Sequence, residues 1–178
     1  MSQDHNMSTG SVEAAFRQAM RGFASTVTVI TGGSAARRHG MTATAVTSLA
    51  MTPPSLLVCL NRETLLNDIM IDARHFCVNI LQVEQEEISG AFSGKLSARD
   101  RFIVGEWDHT DDGLPFLRGA LANVFCLKSA ALPYGSHTIL IGNVERVRIN
   151  DSRSPLVYHD GRYCEPRALP QAPQAAEN

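Results

Sequence analysis

Apolar residues near the start of the chain recur at the spacing of one helix face. They fall at positions i, i+3, i+4 and i+7 from residue 12 onward, namely Val12, Ala15, Phe16, Ala19, Met20 and Phe23. This spacing predicts an amphipathic helix, and Ser11 has a side chain suited to its N-cap. The pattern then changes at "STVTVIT" (residues 25–31), where β-branched residues predict a strand.

Short apolar runs then alternate with helical and turn-like segments. "PPSLLVCL" (53–60) and "CVNIL" (77–81) indicate buried strands, with the two prolines at a strand entrance. Residues 64–76 and 82–92 indicate short helices, and "WDHTDDGLPFL" (107–117) indicates an irregular loop. Strands therefore outnumber helices, and the helices are short.

Three hairpins connect the predicted strands. Their turns lie in the glycine-punctuated segment 32–40, at residues 133–135 between two long apolar runs, and at the dipeptide Asp160-Gly161. About six strands joined by hairpins, with a few short helices, favour a closed or partly closed antiparallel barrel over a doubly wound parallel sheet. The fold class is thus predicted to be mainly β.

Length and composition predict one domain. The chain has 178 residues, 44% of them hydrophobic, which is enough for a single sizeable core. We expect this domain at residues 11–166, between a disordered N-terminus (1–10) and a disordered tail (167–178) rich in Ala, Pro and Gln. We find no signal-like start and no apolar run long enough for a bilayer, so a cytoplasmic protein without membrane contact is expected.

Charge and motifs exclude several function classes. The formal net charge is −2, with no long basic block, so nucleic acid is not an expected partner. The four cysteines form no CxxC pair, which favours free thiols over disulfides or a zinc site, and no metal site is predicted. We find no GxGxxG, P-loop, HExxH or GxSxG motif.

Two segments and one histidine carry candidate chemistry. Residues 42–48 hold small and hydroxyl side chains that would let a flat ligand approach the backbone, although an ordinary threonine-rich strand would look the same. Residues 89–102 offer Ser, Lys and Arg side chains suited to phosphate, although a solvated charged loop would look the same. His137 begins an apolar strand directly after a turn, either as a half-buried structural histidine or as a functional one.

Seven segments, in order, resemble a known family. They are "FRQAMRGFASTVTVIT", "HGMTATAVTSLAMTPPSLLVCLNRETLLNDI", "FCVNIL", "SGAFSGKLSARDRF", "DGLPFLRGALANVFC", "GSHTILIGNVERV" and "PLVYHDGRY". Together they are similar to the short-chain NAD(P)H:flavin oxidoreductases, the reductase components of two-component flavin monooxygenases in the flavin reductase-like, FMN-binding split-barrel families. The resemblance covers about residues 12–165.

This resemblance implies a fold and an activity. The implied fold is a six-stranded antiparallel Greek-key split β-barrel, assembled as a homodimer with flavin at or near the subunit interface. The implied activity is reduction of FAD or FMN by NADH or NADPH, with reduced flavin passing to a separate oxygenase. Alternatives within the fold are reduction of another acceptor, such as cob(II)yrinic acid a,c-diamide or a ferric chelate, and a non-enzymatic flavin- or haem-binding barrel.

The resemblance also implies site residues. His137 matches a histidine near the nicotinamide and the flavin ring, and is the implied catalytic residue. The implied cofactor-binding residues are Thr42, Ala43, Thr44, Ala45 and Val46 around the isoalloxazine, with Ser48 just after them, Val58, Cys59, Leu60, Asn61 and Thr64 at the ribityl and phosphate, and Phe92, Ser93, Gly94, Lys95 and Arg99 at phosphate or adenosine. Tyr158 and Tyr163 either form a wall of the nicotinamide pocket or simply close the barrel.

The chain departs from the family pattern at two positions. Ser136 stands where the family commonly has Asp, so a carboxylate partner for His137 would have to come from elsewhere. Glu63 stands where many relatives have a small or hydroxyl residue, which would alter phosphate affinity and flavin preference.

Overall fold

The computed structural model of the chain describes residues 9–34, 37–150 and 154–169. Within these ranges lie three α-helices, α1 (Thr9–Met20), α2 (Leu65–Asp72) and α3 (Glu86–Gly90), with a π-turn at Ala91–Lys95 and 3-10 turns at Val83–Gln85 and Arg101–Ile103. The strands in these ranges are β1 (Ser25–Thr26), β2 (Thr28–Gly32), β3 (His39–Ala43), β4 (Val46–Met51), β5 (Pro54–Asn61), β6 (His75–Ile80), β7 (Trp107–His109), β8 (Pro115–Leu117), β9 (Ala122–Tyr134), β10 (His137–Ile149), β11 (Val157–His159) and β12 (Arg162–Cys164). The prediction of a mainly β fold with few helices is confirmed.

The central element is a seven-stranded antiparallel sheet in the order β3-β2-β6-β9-β10-β5-β4. β3 and β4 are its two edges, so the sheet is not a closed barrel, and the six-strand count implied by the resemblance is not confirmed. Only Thr44 and Ala45 separate these edge strands in sequence. Three Cα steps span at most about 11 Å, so the sheet must curl until its edges approach at one corner.

The β9–β10 hairpin joins the two halves of the sheet. β9 pairs with β6 through residues 122–127, whereas β10 pairs with β5 through residues 137–143. Register shifts within the hairpin lie beside Gly142 and Glu145. A Cβ atom at Gly142 would lie 2.7 Å from Cε1 of Phe76, so glycine is needed there for close packing. The predicted long hairpin is confirmed.

The sheet is buried on both faces where β2 crosses it. Val29 and Ile30 point to opposite faces, and both are fully buried. Ile30 packs in a cluster that includes Leu66 and Met70 of α2. Val29 packs in a second cluster that includes Phe92 and Phe102, which meet edge to face with ring centroids 5.1 Å apart. Helices and turns therefore cover the sheet at this end.

Three local predictions from sequence are wrong, one of them only at a boundary: residues 75 and 76, predicted as the end of a helix, begin β6 (His75–Ile80). Residues 107–117 were expected to be an irregular loop, but β7 and β8 form a hairpin there, with Trp107 opposite Leu117. Ser11 was expected to be an N-cap, but it lies inside α1, which begins at Thr9. The amphipathic helix itself is confirmed, yet its apolar side chains, such as Phe16, are exposed and join none of the buried clusters.

Several other expectations concern the cysteines and the chain ends. All four cysteines are free, with Cys77 and Cys126 buried, Cys59 half-buried and Cys164 exposed. No helix among the described residues is long and apolar enough to cross a membrane, and no cluster there could hold a metal ion. Of the termini predicted to be disordered, residues 1–8 and 170–178 lie outside the described residues.

Candidate functional site

A cavity of about 720 Å³ opens between β3, the start of α2, the π-turn and the β11–β12 hairpin. This volume is typical of small-molecule and cofactor sites. The cavity wall is formed by Val27, His39, Met41, Thr42, Ala43, Thr44, Glu63, Thr64, Leu65, Ser89, Phe92, Ser93, Gly94, Ala98, Arg101, Tyr158 and Tyr163. It contains nine of the cofactor-binding residues that the resemblance implied: Thr42, Ala43, Thr44, Thr64, Phe92, Ser93, Gly94, Tyr158 and Tyr163.

The free edge of β3 forms one side of the cavity. The Gly40 carbonyl points away from β2 and accepts a hydrogen bond from Nη1 of Arg101 at 3.0 Å. Backbone groups alternate in an antiparallel strand, so the N–H and C=O of Thr42 point to this same free edge. The Thr42 side chain is held separately, since its hydroxyl donates to the Ser89 carbonyl at 2.7 Å. The strand thus presents a fixed backbone donor and acceptor to a ligand.

Two tyrosines of the β11–β12 hairpin form the opposite side. The hydroxyls of Tyr163 and Ser89 lie 2.8 Å apart, and the rings of Tyr158 and Tyr163 pack edge to face. The predicted two-residue turn is confirmed, because Asp160 and Gly161 both have positive φ. Nε of Arg21 donates to Asp160 at 2.8 Å, and this contact lowers the pKa of the Asp160 carboxyl. The turn geometry therefore sets where the two rings lie.

The N-terminal turn of α2 adds polar groups to the rim. The Thr64 hydroxyl donates to the Asn61 carbonyl at 2.7 Å and accepts from the Asn67 N–H at 3.3 Å, which makes Thr64 the N-cap. The Glu63 N–H donates to the Asn61 side chain at 2.9 Å. Asn61 thus holds this turn through its carbonyl and its side chain without lining the cavity, whereas Glu63 and Thr64 line it.

Charge in the cavity wall is limited to one cation and one carboxylate among the described lining residues, Arg101 and Glu63. The Arg101 guanidinium is anchored at two points, since Nε donates to the Leu96 carbonyl at 3.2 Å and Nη1 donates to Gly40. A guanidinium fixed in this way is suited to a phosphate. Arg101 belongs to the segment that sequence reasoning connected with phosphate, but Lys95 and Arg99 of that segment are exposed and outside the wall.

His39 is a wall residue that sequence reasoning did not assign. The residue is only 4% exposed, and its Nδ1 has no hydrogen-bond partner among the described residues. Burial and the nearby Arg101 charge lower its pKa to about 4, so the imidazole is neutral at neutral pH. The available signal was its place immediately before Gly40, in the "HGMTATAV" part of the resemblance.

The remaining residues that the resemblance implied lie around the cavity rather than in its wall. Val58 and Leu60 are buried in the core, and Cys59 on the same strand donates its N–H to the Ala45 carbonyl at 3.0 Å. Val46 and Ser48 line a different, largely apolar groove of about 710 Å³, which Thr44 also touches. These residues therefore lie on β4 and β5 and on the link between β3 and β4, the two edge strands of the sheet.

His137 lies at the tip of the β9–β10 hairpin, exposed and outside the cavity wall. Its partner on β5 is Asn61, whose carbonyl accepts a hydrogen bond from Thr64, the N-cap residue of α2. Nδ1 of His137 lies 2.9 Å from the Ser136 hydroxyl. In a single copy of the chain, His137 is thus next to the site but does not line it.

Comparisons with known proteins point to one family. Residues 20–167 match the family model of the flavin reductase like domain. The chain is 45% identical over 162 residues to the reductase component of the FADH(2)-dependent resorcinol hydroxylase of Rhizobium sp., covering 90% of each protein. It is 39% identical over 151 residues to the FMN reductase (NADH) RutF of Pseudomonas syringae, covering 85% of each.

A solved structure shares the fold. The NADH:FAD oxidoreductase SgcE6 of Streptomyces globisporus, in complex with NAD and FAD fragments, superposes with a TM-score of 0.80 at 26% identity. The match covers 96% of this chain and 99% of that one. The chain therefore belongs to the family of the flavin reductase like domain, a family of NAD(P)H:flavin oxidoreductases.

Proposed function

We propose that the chain transfers hydride from NADH or NADPH to FAD or FMN and supplies the reduced flavin to a separate oxygenase. The observation that carries this proposal is the cavity beside β3, which combines a free strand edge, an aromatic side and one fixed guanidinium. The relatives support it, because one is named as the reductase component of a hydroxylase and another as an NADH-dependent FMN reductase.

The residues of the cavity fit a flavin nucleotide. The Thr42 backbone offers a donor and an acceptor, which is the pattern that the pyrimidine edge of an isoalloxazine requires. Ala43 and Thr44 are small enough for close approach of a flat ring, and Arg101 supplies the positive charge that a phosphate requires. Glu63 at the rim would repel a second phosphate group but would accept hydrogen bonds from ribose hydroxyls.

The protein's part in the reaction is mainly to position the two nucleotides. A bound flavin would supply the electron-accepting chemistry at this site. The β3 edge and the tyrosine side would hold a flavin in place and would exclude water from the face that they cover. We propose that His137 contacts the nicotinamide with Nε2, since Ser136 occupies its Nδ1. No nucleophile or metal is part of this mechanism.

We further propose that the protein works as a homodimer. The apolar groove beside β4 is lined by valines and other aliphatic side chains, including Val46, Val124 and Val144, and it opens to solvent in a single chain. β4 is an unpaired sheet edge on the same side. A second copy would cover both, and it would bring a second set of site residues close to the first.

Steady-state assays of purified protein test the proposed function. NADH and NADPH oxidation is followed at 340 nm with FAD, with FMN and without added flavin, after the absorption spectrum has been recorded. Oxidation that rises with added flavin supports the reductase and identifies the preferred pair of cofactors. A colourless protein that oxidises neither nicotinamide with any flavin would refute the proposal. Size-exclusion chromatography with light scattering tests the dimer separately.

A further inference from the structure

His39 combines three properties that are rarely found together in a structural histidine. It lines the ligand cavity, its side chain is almost completely buried, and its Nδ1 has no partner among the described residues. Buried polar atoms nearly always have a hydrogen-bond partner, because an unpaired one loses its hydration without compensation. A histidine that serves only packing gains nothing from this arrangement over a leucine.

The surroundings of His39 limit what its ring can do. Burial and the Arg101 guanidinium both disfavour the imidazolium, so the ring is neutral and carries its proton on one nitrogen only. Nδ1 is enclosed by protein, and an unpaired N–H is rarer inside proteins than an unpaired acceptor. The proton is therefore expected on Nε2, and because Nδ1 is enclosed by protein, the ring could meet a ligand only through Nε2.

The neighbouring residue indicates which ligand atom would be met. Arg101 is anchored to the carbonyl of Gly40, the residue directly after His39, so the guanidinium and the imidazole belong to the same end of the cavity. A neutral N–H donor beside a fixed cation is suited to an anionic oxygen. Phosphate is the anionic group that both flavin and nicotinamide nucleotides carry.

We propose that His39 is a neutral hydrogen-bond donor of this site, and that its Nε2–H donates to a phosphate oxygen of the nucleotide beside Arg101. The N–H of His39 adds a directional hydrogen bond beside the Arg101 guanidinium. Because the imidazole is neutral, it adds no second charge. This inference rests on the proposed function, because it requires a nucleotide in the cavity. It concerns a residue that the resemblance did not imply as part of the site.

Binding measurements with two variants test the proposal. His39→Gln keeps an N–H donor near the position of Nε2, whereas His39→Leu removes the donor at similar volume. Dissociation constants for FMN and riboflavin are measured by flavin fluorescence quenching. We expect His39→Leu to weaken FMN binding about tenfold, with riboflavin changed less than about twofold, and His39→Gln to stay within about threefold of wild type.

The contrary results are equally clear. A folded His39→Leu protein whose FMN binding and KM for NADH both equal those of wild type would overturn the proposal, and so would an equal loss for riboflavin and FMN. If His39→Leu does not fold, His39→Gln decides, because a full tenfold loss of FMN affinity in that folded variant would contradict a simple donor role.

Nitrogen NMR of labelled wild-type protein provides a readout independent of any variant. At pH 7 we expect His39 to show a protonated Nε2 and an unprotonated Nδ1, with the Nε2 resonance moving when FMN binds but not when riboflavin binds. A proton on Nδ1, or an imidazolium, would overturn the proposal.

A second arm identifies the source of the phosphate. If the subsite takes the phosphate of the nicotinamide nucleotide, His39→Leu raises KM for NADH about tenfold while FMN binding is unchanged and Nε2 responds to NADH instead. If His39→Leu changes neither FMN binding nor KM for NADH, the inference about His39 is refuted and the proposed function is untouched. Wild-type protein that neither binds nor reduces any flavin refutes the proposed function itself.

Discussion

The hydroxyl of Ser136 lies 2.9 Å from Nδ1 of His137, at the tip of the β9–β10 hairpin. A hydroxyl orients the ring without adding the negative charge that a carboxylate would bring. Because β10 pairs with β5 up to His137 and Asn61, the ring is also aimed by a regular strand. The arrangement is thus suited to orienting a substrate.

Replacing His137 by Ala should therefore reduce turnover more than flavin binding. We expect kcat/KM for NADH to fall about tenfold or more, because the nicotinamide loses a positioning contact, while the FMN dissociation constant changes less than about twofold. Steady-state kinetics and fluorescence quenching measure the two quantities. His109→Ala on β7 is the control. An unchanged kcat/KM in His137→Ala would remove His137 from the mechanism.

Arg101 should be the principal cation for phosphate. Arg101→Met is expected to weaken FMN binding by about 10- to 100-fold, since a hydrogen bond to a charged group contributes about 1.5–3 kcal/mol, and to leave riboflavin binding nearly unchanged. Arg99→Met, an exposed neighbour outside the cavity wall, is the matched control. Equal losses in the two variants would favour a diffuse charge effect over a built contact.

Burial of His39 predicts a specific pH dependence of stability. The pKa of His39 is about 4 in the folded protein, below its usual 6.5. Between these two pH values, His39 therefore binds a proton in the unfolded chain but not in the folded protein. The free energy of unfolding should therefore fall by at most about 3 kcal/mol as pH decreases from about 6.5 to about 4. Urea titrations at several pH values measure it, and His39→Gln should show a smaller decrease over this window. Parallel curves for the two proteins would mean that His39 is not the cause.

Gly142 should tolerate no side chain. A Cβ there would lie 2.7 Å from Phe76 Cε1 and 2.8 Å from the Cys126 Cβ, so Gly142→Ala is expected to lower the free energy of unfolding by about 1–3 kcal/mol through overpacking. Urea denaturation tests this. Gly10→Ala in α1 meets nothing within 4 Å and is the control, expected to be neutral or slightly stabilising. Equal stability of the two variants would contradict the close packing at Phe76.

The long elements of the fold were predictable because periodicity and turn chemistry agree along them. The β9–β10 pair and the Asp160-Gly161 turn are specified within a few residues of sequence. The β7–β8 hairpin was not predictable, since each strand has only three residues and Asp108 and Asp112 carry a loop-like polarity. Whether the apolar face of α1 meets the chain's own core depends on tertiary contacts, which helical spacing cannot express.

The sequence predicted which segments form the candidate site, but not which of their residues line the cavity. Thr42 and Tyr163 were assigned through the resemblance, and both line the cavity. Lys95 and Arg99 have the right chemistry, but only Arg101 of the same segment is anchored to backbone carbonyls and turned inward. His39 was missed because its significance comes from an unpaired nitrogen, which depends on three-dimensional contacts.

The outer edge of β4 has a practical consequence for handling the protein. The strand "VTSLAM" has neither a charge nor a proline, and Leu49 and Met51 are 48% and 81% exposed. Natural sheets usually guard such an edge with lysine or proline, because a bare edge recruits further strands into aggregates. A single copy that is stripped of whatever covers β4 should therefore precipitate as it is concentrated, and a soluble monomeric form would first need a charge placed on this edge, for instance Leu49→Lys.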